Sequence, residues 1–156
     1  MQRKPDYKES KMTIEHEELA TLVPHRGKMF IIDRITDAKV DEWIIESETK
    51  ITEDFMFYEK SIDGVPNYAC FEIIAQTVAA LTGLYARENN LPPNIGFILS
   101  VTNLKFDFDL IKPGETVKVK ALRDAVVENM HLFRAEVYLN EKLSASGKLT
   151  VMEAKQ

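Results

Sequence analysis

Tyr68-Ala69-Cys70-Phe71-Glu72-Ile73-Ile74-Ala75-Gln76-Thr77-Val78-Ala79-Ala80-Leu81-Thr82-Gly83-Leu84-Tyr85-Ala86-Arg87-Glu88 is the run whose reading decides the fold. It is apolar nearly all round, and its polar members are Glu72, Gln76, Thr77 and Thr82 until Arg87 and Glu88 close it. A helix with this profile is buried on most of its sides. At ~1.5 Å per residue it is roughly 30 Å long, enough to cross a small domain. Its uncharged stretch, 73–86, falls short of the roughly 18 residues a membrane span needs, so the expectation is a core helix in a soluble protein without a membrane partner.

On the C-terminal side, Asn89, Asn90, Pro92, Pro93 and Asn94 form a breaker loop, and everything beyond is strand-like. The run 95–101 is apolar. Leu104, Phe106 and Phe108 alternate with Lys105 and Asp107, Lys112-Pro113-Gly114-Glu115 makes a turn, and Val117, Val119 and Ala121 alternate with Lys118 and Lys120. Segments 132–139 and 143–152 read as a hairpin closed around Asn140-Glu141. On the N-terminal side, Thr13 is placed to cap a short helix carrying Ile14, Leu19, Leu22 and Val23, which Pro24 ends. Residues 28–35 then read as a mostly buried strand. In the next strand Trp43, Ile45, Ser47, Thr49 and Ile51 share one side, and a loop covers 52–67. One sheet needs a cover for its apolar face, and the 68–88 helix is the one candidate. The expected fold class is therefore α+β, a curved antiparallel sheet wrapped around one long central helix. A tail over 1–12, a single domain over 13–152 and a C-terminal tail over 153–156 complete the outline. Such a unit leaves an edge strand to pair, which points to a dimer.

Composition narrows the function classes. The chain has 20 Lys and Arg against 25 Asp and Glu, a net charge of −5, which argues against nucleic acid as a partner. A single cysteine excludes an intramolecular disulfide and makes a reducing, cytoplasmic compartment the expectation. Three histidines without metal spacing and the lone cysteine give no metal site, and the six scattered glycines give no phosphate loop.

Glu72 is the most informative residue. It lies one turn into the apolar helix, where burial would raise its pKa and suit it to general acid or base work, or where it simply reaches solvent or an arginine. Gln76, one turn later on the same face, is placed to orient it. His25 lies in the breaker-rich Val23-Pro24-His25-Arg26-Gly27 loop, as a site residue or a solvated loop histidine. His131 reads as a strand-end packing residue, His16 as a surface residue, Cys70 as a buried small hydrophobe, and Asp107 and Asp109 as a solvated edge. Arg26, Lys28 and Arg34 give the basic bias near a possible site mouth.

Together these residues resemble the hot-dog-fold 3-hydroxyacyl-(acyl-carrier-protein) dehydratases over about 13–152. The carriers are Leu22-Val23-Pro24-His25-Arg26 followed by Met29-Phe30-Ile31-Ile32-Asp33-Arg34-Ile35, then Gly64-Val65 before Phe71-Glu72-Ile73-Ile74-Ala75-Gln76, then Phe106 with Ile111-Lys112-Pro113-Gly114-Glu115. The spelling of 65–72 is most similar to the subgroup associated with aryl polyene pigment assembly. The resemblance implies a hot-dog homodimer or heterodimer with sites at the subunit interface, and a substrate that brings its own phosphopantetheine on an acidic acyl carrier protein. It implies no cofactor of the enzyme's own. Water is lost between C2 and C3, a histidine taking the C2 proton and a carboxylic acid protonating the hydroxyl, while backbone N–H groups near a helix start polarise the thioester carbonyl. Glu72 matches the acid, and Gly64, Val65 and Gln76 match substrate-binding positions. The family's Gly-His-Phe-Pro block has no counterpart: 54–64 reads Asp-Phe-Met-Phe-Tyr-Glu-Lys-Ser-Ile-Asp-Gly, without histidine. His25 is the one histidine in a loop the family places near the substrate tunnel, and is carried forward as the base. A non-catalytic partner subunit and an acyl thioesterase are the competing readings.

Overall fold

The computed structural model describes residues 11–92 and 96–154. In chain order the elements are α1 (His16–Leu19), β1 (Arg34–Lys39), β2 (Ile44–Lys50), β3 (Val65–Pro66), α2 (Ala69–Glu88), β4 (Gly96–Thr102), β5 (Leu110–Ile111), β6 (Thr116–Val127), β7 (Met130–Leu139) and β8 (Lys142–Glu153). Six strands form one sheet in the order β1-β2-β6-β7-β8-β4, and each neighbouring pair is antiparallel. A two-stranded ribbon, β3 with β5, stands beside it.

The sheet's inner face is built by alternation. Ile45, Ser47 and Thr49 of β2, Val117, Val119 and Ala121 of β6, and Phe133, Ala135 and Val137 of β7 are all buried. Against them α2 sets Ile73, Ile74, Thr77, Ala80, Leu81 and Leu84, each without solvent exposure. The Ser47 and Thr77 hydroxyls meet at 2.7 Å, and Thr77 also donates to the Ile73 carbonyl at 2.7 Å, so the two buried hydroxyls satisfy each other. Register shifts between Ile35 and Asp37, Arg123 and Ala125, Val137 and Tyr138, and Ile98 and Ser100 bend the sheet. This is the expected hot-dog arrangement. By length and composition alone α2 would also suit a membrane span; here 61% of its most hydropathic window is buried inside the protein.

Several local expectations change. α1 is a single turn and Thr13 does not cap it. Ile14 instead exchanges both backbone hydrogen bonds with Ile35, at 3.0 and 2.9 Å, which holds it in an isolated β-bridge. The strand expected over 28–35 begins only at Arg34. Residues Gly27–Met29 make a 3-10 turn, and buried Phe30, Ile31 and Ile32 lie outside any strand because the Ile31 N–H is taken by a side chain of α2. Leu104, Phe106 and Phe108 alternate with exposed neighbours as expected, but outside a strand; the Asp107 N–H bonds the Ser144 carbonyl at 3.0 Å. The β7–β8 hairpin turns at Asn140 and Glu141, both left-handed (φ 48° and 70°), as a two-residue turn requires. β8 runs to Glu153, one residue past the expected domain boundary. Most of the proposed N-terminal tail, part of the breaker loop and the end of the C-terminal tail lie outside the described residues.

One contact fixes where α2 meets the segment entering β1. A Cβ at Gly83 would stand 2.2 Å from the Leu22 carbonyl oxygen, so only glycine permits this approach. Gly83→Ala is expected to lower stability by about 1–3 kcal/mol, the usual cost of overpacking. Chemical denaturation checks this, and an unchanged midpoint contradicts the contact.

Candidate active site

Glu72 and Gln76 stand one helical turn apart near the N-terminal end of α2. The Gln76 side chain is fully buried yet fully employed. Its Nε2 donates to the Met29 carbonyl at 2.6 Å and to Glu72 Oε1 at 2.9 Å, while its Oε1 accepts from the Ile31 N–H at 2.9 Å. One amide thus ties α2 to the backbone entering β1 and fixes the Glu72 carboxyl.

That incoming backbone also carries His25. Arg26 holds the loop in shape by donating from one guanidinium nitrogen to the Val23 carbonyl at 2.6 Å and the His25 carbonyl at 2.7 Å. Gly27, at φ +60°, lets the chain turn sharply after it. The result places His25 Nε2 3.3 Å from Glu72 Oε1, with both side chains half-buried. His25 Nδ1 is buried with no hydrogen-bond partner. A cavity of about 380 Å³ opens beside this pair. His25 and Arg26 border it together with Ala75, Val78, Ala79 and Thr82 of α2, Ile98 of β4 and Val151 of β8. A larger hollow of about 550 Å³ at the β1–β2 connection is lined by Lys11 and 37–42; it has no residue in common with the His25 cavity and contains no histidine.

The sequence-derived candidates divide cleanly. His25, Glu72 and Gln76 come together, and of the three only His25 borders the cavity. Gly64 and Val65 lie on the approach to α2, where Val65 is fully buried opposite Ile111 and the Gly64 N–H donates to the Glu59 carbonyl at 3.4 Å; neither borders the cavity. His16 is exposed and stacks on Phe30. His131 is buried, its Nε2 2.9 Å from Glu153 Oε1 and its Nδ1 3.3 Å from Arg123. Asp107 faces solvent and pairs with Lys142 at 3.5 Å. Burial pushes the Cys70 thiol up to about 12, which leaves it unreactive. In the segment without histidine, the Tyr58 hydroxyl donates to Asp63 Oδ1 at 2.6 Å; that hydrogen bond pushes it up to about 12, so it offers no base near neutrality. Among the described residues no group of three or more His, Cys, Asp and Glu is placed to hold a metal ion. Sequence reasoning missed the cavity wall, whose signal is the small-residue spacing Ala75, Ala79, Gly83, and the loop-fastening role of Arg26.

Comparison with known proteins extends this geometry. The chain is 24% identical over 140 residues to the 3-hydroxyacyl-(acyl-carrier-protein) dehydratase FabZ of Legionella pneumophila subsp. pneumophila strain Philadelphia 1, covering 88% of this chain and 92% of the relative. It is 26% identical over 144 residues to FabZ of Rickettsia akari, covering 90% and 97%. Among solved structures, the dehydratase heterocomplex ApeI:P from Xenorhabdus doucetiae superposes with a TM-score of 0.80 at 13% identity, over 88% of this chain and 91% of that one. A hypothetical thioesterase from Streptococcus pneumoniae TIGR4 shares the fold at a TM-score of 0.59 and 10% identity, over 78% and 85%. The family model for ApeP-like proteins, described as ApeP dehydratase, matches residues 17–156, and the chain belongs to this hot-dog dehydratase family.

Proposed function

We propose that this dehydratase removes water from 3-hydroxyacyl thioesters presented on acyl carrier protein, in fatty-acid or aryl polyene assembly. The observation that carries the reading is a carboxyl group held by a buried amide and lying 3.3 Å from a histidine that borders a mostly apolar cavity. A thioester makes its C2 protons acidic enough for one imidazole to remove. His25 Nε2 takes the C2 proton, and those electrons form the C2=C3 bond. The C3–O bond breaks, and the departing hydroxyl leaves as water with the proton of the Glu72 carboxylic acid. Glu72 Oε1 accepts from Gln76 Nε2 and lies 3.3 Å from His25 Nε2, so in this reading the acid's proton is carried on Oε2. Gly64 and Val65 belong to the thioester end in this reading, which rests on the resemblance. The phosphopantetheine arm comes with the substrate, so no resident cofactor is required.

An acidic carrier would meet Arg26 and Lys28, both exposed at the loop that forms the cavity mouth. Arg34 is already engaged, with Glu15 at 3.5 Å and Glu48 at 3.7 Å. The chain's single cysteine fits a reducing cytoplasm. A second hot-dog subunit, identical or related, has an edge to pair with. β4 closes one side of the sheet with Phe97, Ile98 and Leu99 exposed, and its residues Gly96 and Ile98 also line the cavity.

One observation favours a second reading. A histidine accepting a proton at Nε2 must carry one on Nδ1, and His25 Nδ1 is buried without an acceptor. An unpaired buried donor costs about 1–3 kcal/mol. In the second reading this chain contributes Glu72 and half of the cavity, and a related subunit contributes the base.

Turnover of a 3-hydroxyacyl-carrier-protein substrate, followed by the mass loss of water, separates these readings. Glu72→Gln is expected to reduce the rate by on the order of 10²–10⁴ in either case. An equal loss in His25→Ala assigns the base to this chain; retained activity in His25→Ala, seen only with a second hot-dog subunit, assigns it to the partner. Full activity in both variants, or release of free thiol without a double bond, overturns the site. Gln76→Leu leaves the Met29 carbonyl and Ile31 N–H without their partner, and is expected to cost about 1–3 kcal/mol for each group left buried and unpaired, with a loss of rate besides. A denaturation curve and the same assay check both; a wild-type profile contradicts the bridging role.

A further inference from the structure

Met29 to Ile32 link the His25 loop to β1, and Phe30, Ile31 and Ile32 are buried there outside any strand. Among the described residues, every hydrogen bond this backbone makes beyond its own 3-10 turn goes to one of two side chains. Gln76 of α2 holds the Met29 carbonyl and the Ile31 N–H. His16 of α1 holds the next group along, with its Nδ1 3.1 Å from the Ile32 carbonyl oxygen. A carbonyl oxygen only accepts, so Nδ1 carries a proton and donates. The imidazole also stacks on Phe30, the ring centroids 4.2 Å apart and the planes 16° from parallel. α1 is itself anchored: Ile14 bridges Ile35, Leu19 is fully buried, and Glu18 pairs with Arg87 of α2 at 3.1 Å.

We infer that His16 is a positioning residue for the dehydration. The buried segment is strung between two side-chain pins, and His16 is the second of them. With both in place, the Met29 carbonyl and the Ile31 N–H present a fixed pair of partners to the Gln76 amide, which in turn presents Nε2 to Glu72 Oε1. Without His16, the Ile32 carbonyl is free to draw away. The amide turns with its partners, and the Glu72 carboxyl loses its fixed placement beside His25. Displacements of this kind are expensive in rate even when they start far from the reacting atoms. His16 does not border the cavity, so its influence passes through the backbone it holds. The effect on rate rests on the dehydratase reading of Glu72; the hold on Ile32 does not.

The test compares the full-length wild type with two variants. His16→Phe keeps a ring over Phe30 and removes the donor, while His16→Asn puts an amide N–H where Nδ1 stood. Amide hydrogen exchange at Phe30 and Ile31 is expected to quicken about threefold to tenfold in His16→Phe, the worth of one hydrogen bond. It stays at the wild-type rate in His16→Asn, and the β6 and β7 amides are unchanged in both. Turnover of a 3-hydroxyacyl-carrier-protein substrate is then measured, with a second hot-dog subunit added where the lone chain is silent. His16→Phe is expected to lower kcat by on the order of tenfold with KM unchanged, and His16→Asn to restore it. In a Gln76→Leu background His16→Phe costs no further kcat, because the second pin acts through that amide. Unchanged exchange at Phe30 and Ile31 in His16→Phe overturns the hold on Ile32. Equal kcat losses in the Phe and Asn variants, or a loss that multiplies in the Gln76→Leu background, overturn the positioning role. Dehydration with an unchanged kcat in His16→Phe sinks that role alone. No dehydration by the wild type, with or without the second subunit, sinks the reaction, and hydrogen exchange still decides the hold on Ile32.

Discussion

The side-chain amide of Gln76 is the interaction on which the rest of the site depends. It is wholly buried, and each of its hydrogen bonds joins α2 to something the chemistry needs: the Met29 carbonyl, the Ile31 N–H and the Glu72 carboxyl. A buried amide left partly unsatisfied would be costly, so the chain entering β1 has little freedom to lie elsewhere. That constraint explains why Phe30 to Ile32 are buried without joining the sheet. It also brings the His25 loop against the first turns of α2, where the Arg26 guanidinium holds it.

The sheet does the complementary work. Its buried Ala, Val, Ser and Thr positions let α2 sit close over β2 and β6, and register shifts in the β6–β7 and β4–β8 pairings bend the sheet. The cavity lies between α2, the loop before β1 and residues of β8 and the edge strand β4. Reactive pair, cavity and exposed sheet edge are therefore neighbours, and a second subunit seated on β4 would lie beside the cavity wall. The polar cluster of His131, Glu153 and Arg123, with Arg123 3.7 Å over the Trp43 ring, serves a different end. It joins the ends of β7 and β8 to β6 and the β1–β2 turn.

Much of this was legible in the residues. The all-round apolarity of 68–88 identified the core helix, and the alternation of Trp43, Ile45, Ser47, Thr49 and Ile51 identified the buried side of β2 correctly. Glu72 and Gln76 were paired by their helical spacing alone. What was not legible depends on contacts distant in sequence. Nothing local reveals that Ile14 bridges Ile35, or that Gln76 diverts residues 30–32 from a strand they are apolar enough to form. The 3.3 Å approach of His25 to Glu72 joins residues from two elements and needs the folded loop. The cavity wall was hidden because alanine and glycine at helical spacing read equally well as close packing and as open space.

The central claim is that the His25–Glu72 site performs proton chemistry at C2 of an acyl thioester. The most direct measurement incubates the purified protein, alone and with a related hot-dog subunit, with an enoyl-carrier-protein thioester in deuterated water and follows deuterium at C2 of the hydrated product. The account predicts one deuterium at C2 with the wild type, and incorporation reduced by on the order of 10² or more with Glu72→Gln. Free thiol released with no deuterium at C2 would contradict it and place the chemistry at the thioester carbonyl instead.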